Sequence, residues 1–194
     1  MIRVARLTGA ALSEALPDMA RLRIEVFRAY PYLYDGDAAY EERYLQVYRD
    51  SADAILVGAY EGDRLIGAAT GAPMEDHAGD FGAAFAESGI ALERIFYCAE
   101  SVLLPSYRGQ GIGHRFFDLR EAQARELGRE YAAFCSVVRP KDHQARPEGY
   151  QPLDAFWRKR GYAPLSGAIA TFNWREIGAE SESAHDLQVW MRAL

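Results

Sequence analysis

The sequence predicts a single α/β domain in which a mixed sheet of six to seven strands is covered by about four helices. Three observations carry that expectation. Short segments with alternating or continuous apolar character interleave with longer ones of three- and four-residue apolar spacing. Their order is strand, helix, helix, three strands, helix, strand, helix, strand, strand. The length of 194 residues suits one domain with a real core and is short for two.

Ile2 to Leu7 alternates apolar and polar residues, as a strand does. Leu12, Leu16, Met19, Leu22 and Val26 then form a helical stripe, with Ser13 as its cap and Pro17 in the first turn, where a missing N–H costs little. Tyr30 to Gly36 breaks the period as a loop. Asp37 caps a second helix through about Tyr48, with Tyr40, Tyr44 and Val47 on one stripe. Ala54 to Tyr60 and Leu65 to Gly71 are strands joined across Glu61-Gly62-Asp63, a hairpin signal. Ala72 to Leu92 is an extra piece in which Phe81 to Ser88 can form a short helix.

Arg94 to Leu104 is a long strand. A glycine-rich turn follows, then a helix over about Ile112 to Leu127, with Ile112, Phe116, Leu119 and Ala122 inward and Gly128 as the stop. Tyr131 to Val138 is a continuous apolar run, hence a buried strand. Pro152 starts a short helix ending in Arg158-Lys159-Arg160, with Gly161 after it. Ala168 to Trp174 and Leu187 to Arg192 close the chain as strands.

Bulk properties exclude several classes. With 49% hydrophobic and 26% charged residues, the composition is that of an ordinary globular protein, not a disordered one. A net charge of −6 disfavours a non-specific nucleic-acid binder, which would carry a basic face. No apolar run approaches the ~20 residues of a membrane helix, and the N-terminus lacks a signal-peptide stretch. Cys98 and Cys135 each lie in an apolar strand-like run, so they read as two buried thiols of a cytoplasmic protein. The histidines at 77, 114, 143 and 185 have no metal-ligand spacing with them, so no metal is expected.

Arg108-Gly109-Gln110-Gly111-Ile112-Gly113 stands between the long strand and an amphipathic helix. Glycines let an anion approach the backbone, and the N–H groups at a helix N-terminus attract phosphate. The same glycines would also serve merely to tighten the turn. A dinucleotide fingerprint is excluded, because His114 stands where its third glycine belongs. A Walker A loop is excluded for want of any Gly-Lys pair, and no G-x-S-x-G nucleophile elbow occurs.

The run from Glu100 to Gly113, with Pro105 and Tyr107 flanking Arg108-x-x-Gly111-x-Gly113, resembles the core motif of the GNAT N-acetyltransferase superfamily. That motif is an apolar strand, then P-x-Y-R-G-x-G-(I/L)-G, then a helix. The order of elements agrees over nearly the whole chain, so the resemblance implies one acyl-CoA N-acyltransferase domain over residues 1–194. It implies a mostly antiparallel sheet with splayed central strands, and acetyl-CoA as the acyl donor. Arg108, Gly109, Gln110, Gly111, Ile112 and Gly113 would then cradle the CoA pyrophosphate. Backbone groups of Val102, Leu103 and Leu104 would face the pantetheine arm and stabilise the oxyanion.

The same resemblance assigns the proton transfers. Glu100 is the only acid between Ile95 and Leu104; a general base and a carboxylate paired with a buried arginine are both open to it. Relatives often carry a tyrosine acid in a pattern like L-Y-x-K-x-G-F, and here Trp157 occupies the tyrosine place, beside the cofactor. Tyr150 is the substitute acid, the alternative being an ordinary loop aromatic. Arg160 is a candidate for the CoA phosphates, with a solvated helix end as the other reading. His143, in the long charged connection from Arg139 to Tyr150, is either a proton shuttle or an exposed loop histidine.

On the acceptor side, Tyr30, Tyr34 and Asp35 offer aromatic faces and a carboxylate to an ammonium group; they equally suit packing and turn formation. The Ala72 to Leu92 insertion is expected to cover the acceptor mouth. The implied activity is direct transfer of an acetyl group from acetyl-CoA to a small amine. Acylation of a protein lysine or N-terminus, or an inert CoA-binding module, are the alternatives. A homodimer is expected by analogy, with Leu187 to Met191 either finishing the sheet or pairing with a second subunit.

Overall fold

The computed structural model describes all 194 residues. In chain order its elements are β1 (Ile2–Leu7), α1 (Gly9–Phe27), α2 (Ala38–Asp50), β2 (Ile55–Glu61), β3 (Arg64–Pro73), α3 (Ala78–Phe85), β4 (Ile95–Tyr97), β5 (Ser101–Leu103), α4 (Ile112–Glu126), β6 (Tyr131–Val137), α5 (Asp154–Lys159), β7 (Ala163–Trp174) and β8 (Ser183–Ala193). The sheet runs β1-β2-β3-β4-β6-β8-β7, with β5 also paired to β3. Every pairing is antiparallel except β4 with β6, which are joined through the α4 crossover.

Eight strands replace the expected six to seven because the long strand is broken. Before the break β3 pairs with β4 (Ala72 opposite Tyr97); after it, with β5 (Gly67 opposite Leu103). Between them Ala99 and Glu100 both face Thr70. The Ala99 N–H donates to the Thr70 carbonyl (3.0 Å), and the Thr70 N–H donates to the Glu100 carbonyl (3.2 Å). One extra residue in one strand makes a β-bulge, which sharpens the local twist. Beyond it β4 stays on β6 while β5 does not, so the sheet splays.

The two faces of the sheet serve different ends. Glu100 points its side chain at α1 and α2, where Arg23 and Tyr44 meet it. Ser101, one residue on, points to α4, where Arg120 donates to its Oγ (2.9 Å). Arg120 is fully buried, and all its hydrogen bonds end on uncharged oxygens: the carbonyls of Thr70 (3.0 Å), Glu100 (3.3 Å) and Phe116 (3.2 Å), and Ser101 Oγ. It clamps both strands of the bulge from beneath.

Several expectations are corrected. α1 starts at Gly9 after Thr8, not at Ser13, because Leu12 is already on the buried stripe; Pro17 therefore lies inside the helix. α4 buries Arg120, Glu121 and Gln123 with Ile112, Phe116 and Phe117, while Leu119 and Ala122 are only half-buried. α3 starts three residues before Phe81 and ends at Phe85. The last strands are longer than expected, since β7 is an edge whose outer residues are exposed. β8 lies between β6 and β7, so both its edges are used and it pairs within the sheet. The 72–92 segment fills a second core in which Phe81 packs against Tyr97 (4.6 Å between ring centroids) and Phe172 (5.6 Å). No helix is long and apolar enough to cross a membrane.

Arg120→Met should keep the length of the side chain but remove every donor to the bulge. A stability loss of about 2–4 kcal/mol is expected from urea unfolding; an unchanged midpoint would show that the bulge holds without its clamp.

Candidate active site

The first part of the site is the turn before α4. Gly109 and Gly111 have φ of +76° and +77°, and Gly111 is the N-cap. Side chains disfavour that left-handed region, which explains two of the glycines. No acceptor within the chain takes the N–H groups of Gly109, Gln110, Gly111, Ile112 or Gly113. These five donors cluster at the positive end of the α4 dipole, a geometry that fits a phosphate group. Arg108 is exposed beside them, its Nε donating to the Leu103 carbonyl (3.3 Å).

The second part is the open edge of β5. The Leu104 N–H donates to the Ile66 carbonyl (3.1 Å), and Glu100 accepts from Thr70. Alternation along an antiparallel ladder then also turns the groups of Val102 to β3, and those of Ser101 and Leu103 to the splay. Of the three expected strand residues, Leu103 therefore keeps its N–H free at the edge, while Val102 turns to β3 and Leu104 donates to Ile66 and accepts from Tyr107. Ser101 joins Leu103.

The third part is a cleft on the α1/α2 face with about 550 Å³ of empty space, counting its open mouth. Glu100 sits in it, 7% exposed. Its Oε2 accepts from Tyr44 Oη (2.9 Å) and ion-pairs with Arg23 (3.0 Å); its Oε1 accepts from Thr70 Oγ1 (2.8 Å). The pairing with a buried arginine is thus realised in a residue that also lines the cleft. Arg23 turns its Nε to Glu41 (2.6 Å), which accepts from Tyr34 Oη (2.8 Å) as well. Burial alone would lower the Arg23 pKa, but Glu100 and Glu41 raise it above its ordinary range. Its guanidinium also lies over the Tyr44 ring, 3.9 Å from the centroid.

The remaining candidates are placed less centrally. Tyr34 lines the cleft, but its hydroxyl is committed to Glu41. Asp35 is held by Arg28 (3.3 Å) and Arg175 (3.2 Å), so its carboxylate is not free for an ammonium group. Tyr30 and Tyr150 stack edge-on (4.8 Å between centroids), with His143 against Tyr30, and none of the three lines the cleft. Burial, then Tyr30, pushes the Tyr150 phenol above its usual range. Trp157 lies on the α4 face against Phe134 (4.9 Å) and Trp190 (5.2 Å), across the sheet from Glu100. Arg160 is occupied by Asp118 (2.8 Å), Glu121 (3.1 Å) and His114 (3.2 Å). No cluster of three or more His, Cys, Asp or Glu side chains is placed to hold a metal ion.

Sequence reasoning missed Arg23, Glu41, Tyr44 and Thr70. A signal was present. Arg23 stands four residues after Met19 and seven after Leu16, on the apolar stripe of α1. Glu41 stands four before Leu45 and seven before Tyr48. A charge inside an apolar stripe must find a partner, and these two find each other.

The Acetyltransferase (GNAT) family model matches residues 17–162. No curated protein matches the chain in sequence. Among solved structures, the chain is similar to a PaiA N-acetyltransferase from Thermoplasma acidophilum in complex with coenzyme A, at 14% identity and TM-score 0.58, covering 100% of this chain and 99% of that one. It is similar to a ribosomal-protein-alanine N-acetyltransferase from Brucella melitensis, at 15% identity and TM-score 0.60, with the same coverage. A Drosophila melanogaster polyamine N-acetyltransferase that forms N-acetylagmatine matches at 14% identity and TM-score 0.57, covering 100% of each chain. At these identities the likeness speaks for the fold, while the family model spans most of the sequence and includes the glycine turn, the bulge and Arg23: the chain belongs to the GNAT acetyltransferase family.

Proposed function

We propose that the protein transfers the acetyl group of acetyl-CoA to the amine of a small molecule, by direct attack within a ternary complex. One observation carries the reading. The bulge places the Glu100 carboxylate in the cleft and leaves the next strand edge, at Ser101 and Leu103, open toward the phosphate-binding turn. A base, a donor edge and an anion cradle then lie in sequence along one strand. The five free N–H groups from Gly109 to Gly113 are the residues that would hold the CoA pyrophosphate.

An alkyl ammonium group, with a solution pKa near ~10, must lose a proton before its nitrogen can attack. Glu100 can receive that proton, directly or through water. Its Oε1 accepts only from Thr70, so one lone pair is uncommitted. As the nitrogen bonds to the acetyl carbon, negative charge grows on the carbonyl oxygen, and the N–H groups of Ser101 and Leu103 are its donors. The carbon–sulfur bond breaks and CoA leaves as the thiolate. A thiol pKa near ~8.5 makes that departure feasible without a dedicated acid. That matters here, because the indole of Trp157 supplies no acidic proton and Tyr150 stands outside the cleft.

A cleft with aromatic walls favours a small acceptor over a polypeptide laid across an open groove. Fold neighbours whose names include both a polyamine and a ribosomal-protein alanine do not choose between them.

Glu100→Gln should lower kcat/KM by about 10²–10⁴-fold in a thiol-release assay, with CoA affinity unchanged. Full activity in the variant would remove Glu100 from proton transfer. Gly111→Ala forces a side chain into the left-handed region at φ +77°. Calorimetry should show CoA binding weakened about tenfold, against little change for an Ala substitution at exposed Arg115.

A further inference from the structure

We infer that the acceptor is a primary amine on an aromatic or other flat apolar body, and that it bears no carboxylate. This rests on the reading of the cleft as the acceptor site. Eleven of its thirteen lining residues are hydrophobic, and Phe27, Tyr32, Tyr97, Phe172 and Trp174 present rings to it.

The charges decide the rest. Only Arg23 and Glu100 are charged among the lining residues. Arg23 is shared between Glu100 and Glu41, so with both carboxylates ionised the buried group carries one net negative charge. An ammonium group completes the balance; a carboxylate or phosphate would worsen it.

The neighbouring cations are also committed. Arg139 donates to Glu176 and to the carbonyls of Pro31 (2.8 Å) and Tyr32 (3.1 Å). Arg28 and Arg175 share Asp35, and neither lines the cleft. An amino-acid acceptor would bring a carboxylate beside Glu100, and no cation other than Arg23 lines the cleft to meet it. A polyamine fails for the opposite reason. Its second ammonium group needs a second carboxylate, and Glu41 is fully buried and already bound to Arg23 and Tyr34. The cleft thus has one place for positive charge and apolar walls around it.

The test compares 2-phenylethylamine with phenylalanine, which has the same ring and amine plus a carboxylate, and adds spermidine and a lysine peptide. Binding to the protein loaded with CoA is read by calorimetry, and turnover by thiol release from acetyl-CoA. The amine should bind, and be acetylated, with at least about 100-fold preference over phenylalanine. Phe172→Ala should raise KM for phenylethylamine about tenfold. Equal or better use of phenylalanine, spermidine or the peptide overturns the inference but leaves amine acetylation standing. Selective binding of phenylethylamine without turnover supports it and sinks the catalytic reading instead. Absence of both binding and turnover for phenylethylamine overturns it.

Discussion

Thr70 faces two residues, Ala99 and Glu100, where a regular ladder would give it one, and most of what is distinctive in this protein follows from that mismatch. One inserted residue shifts the register between β3 and its partner, so β4 remains on β6 while β5 turns away from it. Because side chains alternate, the shift also decides which face each residue serves. Glu100 enters the cleft, Ser101 meets α4, and the backbone of Ser101 and Leu103 is left at the open edge. A regular strand from Ile95 to Leu104 would have paired along its whole length and offered no free donors. Arg120 makes the irregularity durable. A neutral side chain of that size would fill the space without reaching the carbonyls of both strands.

Above the bulge, Arg23 ties α1 to α2 through Glu41 and to the sheet through Glu100. The arrangement is costly to disturb at Arg23, since removing it leaves two carboxylates without their cation in a dry setting, worth about 3–5 kcal/mol. It also restricts Glu100. With Arg23, Tyr44 and Thr70 each holding an oxygen, its carboxylate has little freedom to turn, and its remaining lone pair has a fixed direction. The same contacts that stabilise the helices on the sheet therefore aim the carboxylate.

What could be read in the sequence was whatever is local. The turn from Arg108 to Gly113 needs glycines for its own backbone, so its residues announce it without help from the rest of the chain. The stripes of α1, α2 and α4 and the hairpin at Gly62 are legible for the same reason. The bulge was not legible from residue pattern, because Ala99 and Glu100 acquire their special geometry only from Thr70, thirty positions away. Asp35 looked available to an ammonium group because Arg175, which holds it, is distant in sequence. Arg23, Glu41 and Arg120 were within reach: each is a charge on an apolar stripe, a local sign of a distant partner. Naming that partner required the fold.

Trp157 shows how a departure from the family pattern is absorbed. Its ring joins Phe134, Phe117, Tyr162 and Trp190 in an aromatic cluster that fills the space between α4, α5 and the β6–β8 pair. That cluster anchors β6 to the α5 side, just where β6 must stand apart from β5. An indole contributes more apolar area to such a wedge than a phenol and asks for less solvent contact at its far end. What it gives up is an ionisable proton. For an oxygen or nitrogen leaving group that loss would be severe, since an alkoxide or amide anion needs protonation to depart. A thiolate does not, so a thioester is the substrate with which a packing residue in this place is compatible with catalysis. On the proposed reading, the chemical demand moves to the other face of the sheet, where Glu100 would take the proton from the amine.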